Sequence, residues 1–312
     1  MKKISVLIPT YNEEKNIRPL SEEIIKVLGD FNYDYEIIFI DNFSTDDTRN
    51  IIKQLCNENK NIKAIFNARN FGPLKNFYYG LTQTTGDCTI LIFADFQDPP
   101  KLIYDFIKEW ENGYKVVIAK KTKSNEGIIS ILRSFYYVIM SILSKIDGAK
   151  IIPNYNGFGL YDKDFIDILR KIDDPEPYLK NIVGEFGFKI KEIPYIHEKR
   201  KTGKSSLKLY KAYDIAMLSI ITYSKVILRI STFMGFIFSI VTFAIGINVI
   251  IQKLMHWNTY PFGMAALMVG VFFIGSIQLF FIGLLGEYIL NINLRIVKKP
   301  LVVEEERINF DE

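Results

Sequence analysis

Ile4-Ser5-Val6-Leu7-Ile8, stopped at once by Pro9-Thr10, is the run on which the fold turns. A short apolar run without polar alternation, ended by a turn, has the pattern of a strand covered on both faces, as in a parallel sheet flanked by helices. A helical stretch over 13–28 leads to Tyr35–Ile40 (YEIIFI), which repeats the strand signal and ends at Asp41. Ser44-Thr45-Asp46-Asp47 then opens a helix to about Cys56. Ile62–Phe66, a helix near 74–82, Cys88–Ala94 (CTILIFA), a helix near 102–112 and Tyr114–Ala119 continue the alternation, and Lys189–Ile196 returns to strand character. This βαβα order predicts an α/β domain with a doubly wound, mostly parallel sheet, whose ligands bind at the carboxyl ends of its strands.

Of 312 residues, 49% are hydrophobic and 24% charged, too many charges for a wholly intramembrane protein, so the two classes must be segregated along the chain. A net charge of +4 implies no particular partner, and no nucleic-acid role is expected. Cys56 and Cys88 both lie in apolar runs, which supports neither a disulfide framework nor a zinc site and fits a reducing, cytoplasmic compartment. With only His197 and His256 present, any metal is expected on oxygen ligands. The apolar run at the N-terminus reaches Pro9 too soon for a signal peptide and reads as a strand.

The segregation lies in the C-terminal third. Between Arg229 and Lys253 stand 23 residues without charge, roughly 35 Å as a helix at about 1.5 Å per residue, enough to span a bilayer. A second charge-free run from Trp257 to Gly286 holds another span, with Trp257, Pro261 and Tyr288 near its ends. Lys225 and Arg229 before the pair, and Arg295, Lys298 and Lys299 after it, place both flanks in the cytoplasm. The expected organisation is a cytoplasmic catalytic domain over 1–206, an amphipathic juxtamembrane helix over 207–229, transmembrane helices over 230–252 and 262–286, and a cytoplasmic tail over 287–312. A multi-pass protein of the cell membrane, in contact with its lipids, is therefore expected. Residues 127–146 are strongly apolar but carry Arg133, and read either as an interfacial helix or as a core helix. Gly270, Gly275, Gly283 and Gly286 permit close helix packing and leave a homo-oligomer open.

Two strand ends carry the chemistry. Asp41 closes the second strand, where a carboxylate suits a nucleobase imide or a ribose hydroxyl, while Asp46 and Asp47 read as helix-capping residues. After the fourth strand, Asp95, Gln97 and Asp98 bring three oxygen-bearing side chains to one corner stopped by Pro99-Pro100. That set suits Mg²⁺ or Mn²⁺, which take oxygen ligands and complete their shells with phosphate oxygens and water.

Ser5-Val6-Leu7-Ile8-Pro9-Thr10-Tyr11-Asn12-Glu13, Ile40-Asp41-Asn42-Phe43-Ser44-Thr45-Asp46, Arg69-Asn70-Phe71-Gly72 and Ala94-Asp95-Phe96-Gln97-Asp98-Pro99-Pro100 resemble, in order and spacing, the family 2 glycosyltransferases of the GT-A (Rossmann-like) fold. Arg200-Lys201-Thr202-Gly203-Lys204-Ser205, followed by two membrane helices, is similar to the polyprenyl-phosphate branch of that family. The resemblance implies that Pro9, Tyr11, Glu13 and Asp41 cradle a UDP- or GDP-sugar. Asp95 and Gln97 would hold the metal. Arg133, Ser134, Arg200 and Ser205 would contact donor and acceptor phosphates, with Asp95 and Arg200 central to catalysis. The basic stretch around Arg200 also suits anionic lipid headgroups.

Two positions depart from that branch. Phe93 stands where an aspartate is usual, two residues before Asp95, and Asn156-Gly157-Phe158-Gly159 has glycines where the branch carries an acid and an arginine. A sugar hydroxyl needs a base to take its proton, whereas a phosphate monoester, with a second pKa near 6, is already largely dianionic. The missing acid therefore favours a lipid phosphate acceptor. The expected function is inverting, metal-dependent transfer of a sugar to polyprenyl phosphate, feeding lipopolysaccharide O-antigen or cell-wall glycan assembly. A saccharide acceptor, weakened by the absence of a Gln-x-x-Arg-Trp motif, and a catalytically silent assembly subunit are the alternatives.

Overall fold

A computed structural model describes residues 2–122, 152–196, 226–256, 263–297 and 299–310. The elements are β1 (Lys3–Thr10), α1 (Ile17–Gly29), β2 (Asp34–Asp41), α2 (Thr48–Glu58), β3 (Ile62–Asn67), α3 (Pro73–Gln83), β4 (Cys88–Leu91), α4 (Leu102–Glu111) and β5 (Val116–Lys121). There follow β6 (Gly159–Asp162), α5 (Lys163–Lys171), α6 (Leu179–Glu185), β7 (Ile190–Tyr195), α7 (Val226–Met255), α8 (Met264–Ile296) and β8 (Glu304–Ile308).

Eight strands form one sheet in the order β7-β5-β6-β4-β1-β2-β3-β8. β1 pairs in parallel with β2 and β4, β2 with β3, and β5 with β7, whereas β6 and β8 run antiparallel to their neighbours. The apolar run of β1 feeds both faces because successive side chains alternate across a strand. Ile4, Val6 and Ile8 join Ile17, Leu20 and Ile24 of α1, Ile52 of α2 and Phe106 of α4. Leu7 joins Phe77 and Leu81 of α3, Phe165 of α5 and Leu179 of α6 on the other face. Each such side chain, fully buried, contributes about 1.5–3 kcal/mol relative to exposure. The mostly parallel, doubly wound sheet expected from the sequence is therefore present.

Gly159, the first residue of β6, lies so close to β5 that a Cβ there would stand 2.4 Å from the Val117 carbonyl oxygen. No side chain fits without separating the strands. β4 ends at Leu91, earlier than the Ala94 expected, because the chain turns away over 93–98.

Two elements fall within the segment expected as a tail over 287–312. α8 runs on to Ile296, and Glu304–Ile308 then adds β8 antiparallel to β3, with Phe66 opposite Glu306 and Ala64 opposite Ile308. Its sequence, EEERI, lacks an apolar alternation because it is an edge strand, where charge discourages further pairing. The expected spans fall on α7 and α8. Among the described residues one stretch, Phe273–Ile296, has a mean hydropathy of 1.7, is not buried against the protein, and is long and apolar enough to cross a membrane. That stretch lies further along the chain than the span expected over 262–286. The apolar segment 127–146 and nearly all of the juxtamembrane helix fall outside the described residues.

Candidate active site

Three loops leave the carboxyl ends of β1, β2 and β4, and the segment 152–158 enters β6 at the same edge, since Gly159 pairs with Leu91. Non-glycine residues in the left-handed region are uncommon, and four gather here: Asn12 (φ 55°), Phe43 (φ 67°), Phe96 (φ 55°) and Asn154 (φ 59°). Each conformation is mildly strained and is held by its surroundings, a pattern typical of functional sites.

The loops after β1 and β2 are bound to each other. The register sets Thr10 beside Asp41. The Asn12 carboxamide oxygen accepts the Thr45 N–H at 2.8 Å, and Ser44 Oγ accepts the Asn12 N–H at 2.9 Å. Thr48 Oγ1 accepts the Glu13 N–H at 2.9 Å. Ser44 donates its hydroxyl to Asp41 Oδ1 at 2.5 Å and its N–H to Oδ2 at 3.0 Å, and Arg49 Nε lies 3.5 Å from that second oxygen. Asp41 is thus fully buried in the turn, and burial raises its pKa against the opposing pull of Ser44 and Arg49. Around it, Tyr11 and Phe43 are 40% and 39% exposed, and Pro9 is half-buried near the end of β1. Asp46, expected to cap α2, accepts the Thr48 N–H, while Asp47 accepts from the Asn50 amide.

Composition and periodicity do not reveal a group of asparagines at the same edge. Asn42 donates to Asn70 Oδ1 at 3.0 Å and accepts the Phe71 N–H at 2.9 Å, which holds the Arg69–Gly72 segment. Asn67 donates to Asn76 Oδ1 at 2.7 Å, and Asn76 to the Ile40 carbonyl at 3.1 Å. Their clue is weak: polar residues just past or just inside an apolar element.

On the other side of β1, Asp95 Oδ1 accepts the Gln97 N–H at 3.1 Å in a tight turn. Asp98 is buried and accepts the Tyr195 hydroxyl at 2.5 Å and the Asn156 amide at 3.1 Å. Burial lifts its pKa to about 6, although the Tyr195 hydrogen bond and nearby Lys121 pull the other way. Among the described residues no three His, Cys, Asp or Glu side chains cluster as a metal cage. Asp95 and Gln97 do fit a hard cation that keeps water ligands and takes further oxygens from a diphosphate. Asp98, the third oxygen donor of the set, also braces the turn against the end of β7 and the segment entering β6.

Phe93 and Gly157, the two departures noted in the sequence, are neighbours. Gly157 has φ 114°, and a Cβ there would lie 3.3 Å from Leu91 and 3.7 Å from the Phe93 ring. Phe93 packs edge-on against Phe77, with centroids 6.1 Å apart. An apolar contact therefore stands where two acids would be expected. Pro9, Tyr11, Glu13 and Asp41 are brought together on one side of β1, and Asp95, Gln97 and Asp98 on the other. Arg133, Ser134, Arg200 and Ser205 lie outside the described residues.

Fold and edge together define an α/β enzyme of GT-A-like architecture. The chain belongs to glycosyl transferase family 2, whose family model matches residues 5–169. It is 30% identical over 300 residues to a prophage bactoprenol glucosyl transferase homolog of Escherichia coli (strain K12), covering 96% of this chain and 97% of that one. It is 29% identical to the bactoprenol glucosyl transferase of Shigella phage SfX, covering 98% and 99%. Relatives of these names stand in the polyprenyl-phosphate branch that the motifs resemble. Among solved structures, a glucosyl-3-phosphoglycerate synthase from Mycobacterium tuberculosis, in complex with Mg²⁺ and uridine diphosphate, superposes with a TM-score of 0.50. The alignment covers 71% of this chain and 78% of that one at 17% identity, a likeness of fold.

Proposed function

We propose that this glycosyl transferase moves a sugar from a UDP- or GDP-sugar to polyprenyl phosphate at the cytoplasmic face of a cell membrane, with inversion at the anomeric carbon. The observation that carries the reading is β8. It follows an apolar helix long enough to cross a membrane, yet lies in the same sheet as β7, which precedes both long helices. The chain leaves the domain and returns to it on one side. If α8 crosses a bilayer, the chain has to cross it once more between β7 and α8, and α7 is a helix long enough for that crossing. This connectivity supports a two-span hairpin, and the basic flanks support a cytoplasmic domain. An enzyme so anchored meets lipid-borne acceptors, and its relatives named bactoprenol glucosyl transferase match along nearly their whole length.

In the reaction, an oxygen of the acceptor phosphate bonds to the anomeric carbon as the bond from that carbon to the donor diphosphate breaks. The acceptor dianion has no proton to surrender, so the absence of an acid at Gly157 and Phe93 is no obstacle, and orientation carries the step. Pro9, Tyr11, Glu13 and the Asp41 turn receive the nucleotide. Asp95 and Gln97 would hold Mg²⁺ or Mn²⁺, which when bound neutralises charge on the leaving diphosphate. Arg133, Ser134, Arg200 and Ser205 engage phosphates, for which a guanidinium offers paired donors.

Membranes containing the protein, supplied with radiolabelled UDP-glucose or GDP-mannose and undecaprenyl phosphate, are expected to move label into the organic phase. Asp95→Asn should lower that rate at least about 100-fold with an unchanged melting temperature, and EDTA should abolish it until Mn²⁺ or Mg²⁺ is restored. Label in a polymer instead identifies a hydroxyl acceptor, and no transfer at all identifies an assembly subunit. Undiminished turnover by Asp95→Asn refutes the metal assignment.

A further inference from the structure

Arg49, in the first turn of α2, is held by two carboxylates from opposite ends of the chain. Its Nε lies 3.5 Å from Asp41 Oδ2, and its Nη2 lies 2.7 Å from Glu305 Oε2 on β8. The guanidinium carbon also stands 5.0 Å from the centre of the Phe66 ring and 6.0 Å from that of Phe43. Arg49 is thus packed beside the turn 41–44, whose Phe43 is held in a left-handed conformation with its ring part-exposed. One residue further along, Glu306 pairs with Lys53 at 2.5 Å. That second pair belongs to the same strand and the same helix but touches neither Asp41 nor Phe43.

We infer that Glu305 is a positioning residue of the donor site, acting through Arg49. The strand that returns from the membrane helices thereby completes the turn that receives the nucleotide. This rests on the reading of the 41–44 turn as part of that site. An arginine side chain has about 2 kcal/mol of rotamer freedom, and a single partner at 3.5 Å restrains it weakly. With Glu305 on its far side, the guanidinium is fixed at both ends and stays against Asp41 and the Phe43 ring. Without that carboxylate Arg49 samples other rotamers, Asp41 loses part of its compensation, and the turn populates conformations that do not bind. Apparent affinity falls by the fraction of competent turn that remains.

The experiment uses the full-length protein in detergent micelles with Mg²⁺. UDP and GDP are titrated calorimetrically, and transfer is measured at varied donor concentration, for wild type, Glu305→Gln, Glu305→Asp and Glu306→Gln. Glu305→Gln is expected to weaken binding of the preferred nucleoside diphosphate and to raise the donor KM by about three- to tenfold, with kcat within twofold and the melting temperature matching that of Glu306→Gln. Glu306→Gln should bind as wild type, and Glu305→Asp should recover at least half of the loss. Equal weakening by Glu306→Gln, or a loss confined to kcat or tracking melting temperature, overturns the inference in favour of simple strand docking. Wild-type binding that Glu305→Gln leaves unchanged overturns it while sparing the donor-site reading. Failure of the wild type to bind either nucleotide removes both.

Discussion

Glu36 sits in β2 with 1% of its surface exposed, and five donors converge on it. Oε1 accepts from Ser5 Oγ at 2.6 Å, the Thr85 N–H at 2.8 Å and Thr85 Oγ1 at 2.9 Å, while Oε2 pairs with Lys3 and Lys63, each at 2.9 Å. One carboxylate thus joins β1, β2, β3 and the turn before β4, the strands whose far ends form the site. Burial alone would raise its pKa, but the bonds from Ser5, Lys3, Lys63 and Thr85 outweigh it and hold the group at about 2, against an ordinary 4.5. At about 1.4 kcal/mol per pKa unit, that gap corresponds to about 3 kcal/mol of folding stability. Because the folded value is depressed, the contribution is present above pH 4.5 and is lost as pH falls toward 2. Glu36→Gln removes it and leaves Lys63 without its counter-charge. Thermal unfolding of the full-length protein in detergent, followed by intrinsic fluorescence, should show a midpoint lowered by roughly 6–12 °C at pH 7. The gap to wild type should narrow between pH 5 and pH 3. A variant within about 1 kcal/mol of wild type at pH 7, or a gap that persists unchanged to pH 3, would refute the reasoning.

Tyr195→Phe removes the hydroxyl bonded to buried Asp98 and should destabilise the domain by about 1–3 kcal/mol, read as a lower urea midpoint with an unchanged slope. Cys56 and Cys88 are both fully buried, and burial pushes the Cys56 thiol up to about 12 and Cys88 well above its usual range. Both should resist maleimide labelling in the native protein at pH 7.5 and label fully in denaturant, as counted by mass spectrometry. Gly159→Ala should lower yield of folded protein through its clash with Val117, with residual protein melting several degrees below wild type.

Much of the architecture is written locally. The buried runs of β1 to β5, the helices between them and the long apolar helices near the C-terminus are legible because each follows from the composition of a few consecutive residues. Asp95 and Gln97 are legible as oxygen donors for the same reason: they stand in the turn that follows a strand in a βαβ series. Asp98 belongs to the same motif, yet its partners Asn156 and Tyr195 lie 58 and 97 residues away, and only folding reveals that it braces the turn.

β8 marks the limit most clearly. EEERI has no apolar alternation, and its stability comes from β3 and from Arg49, Lys53 and Tyr79, more than 200 residues earlier. The sequence by itself determined the sheet's class, the carboxyl-edge location of the candidate site residues and the presence of apolar helices, since hydrophobic periodicity and strand-end chemistry are local properties. Tertiary structure alone decided that the chain returns from those helices into the same sheet, that Phe93 and Gly157 are neighbours, and that Glu305 reaches Arg49. Backbone pairing and ion-pair geometry depend on which distant segments meet, and no local pattern encodes that meeting.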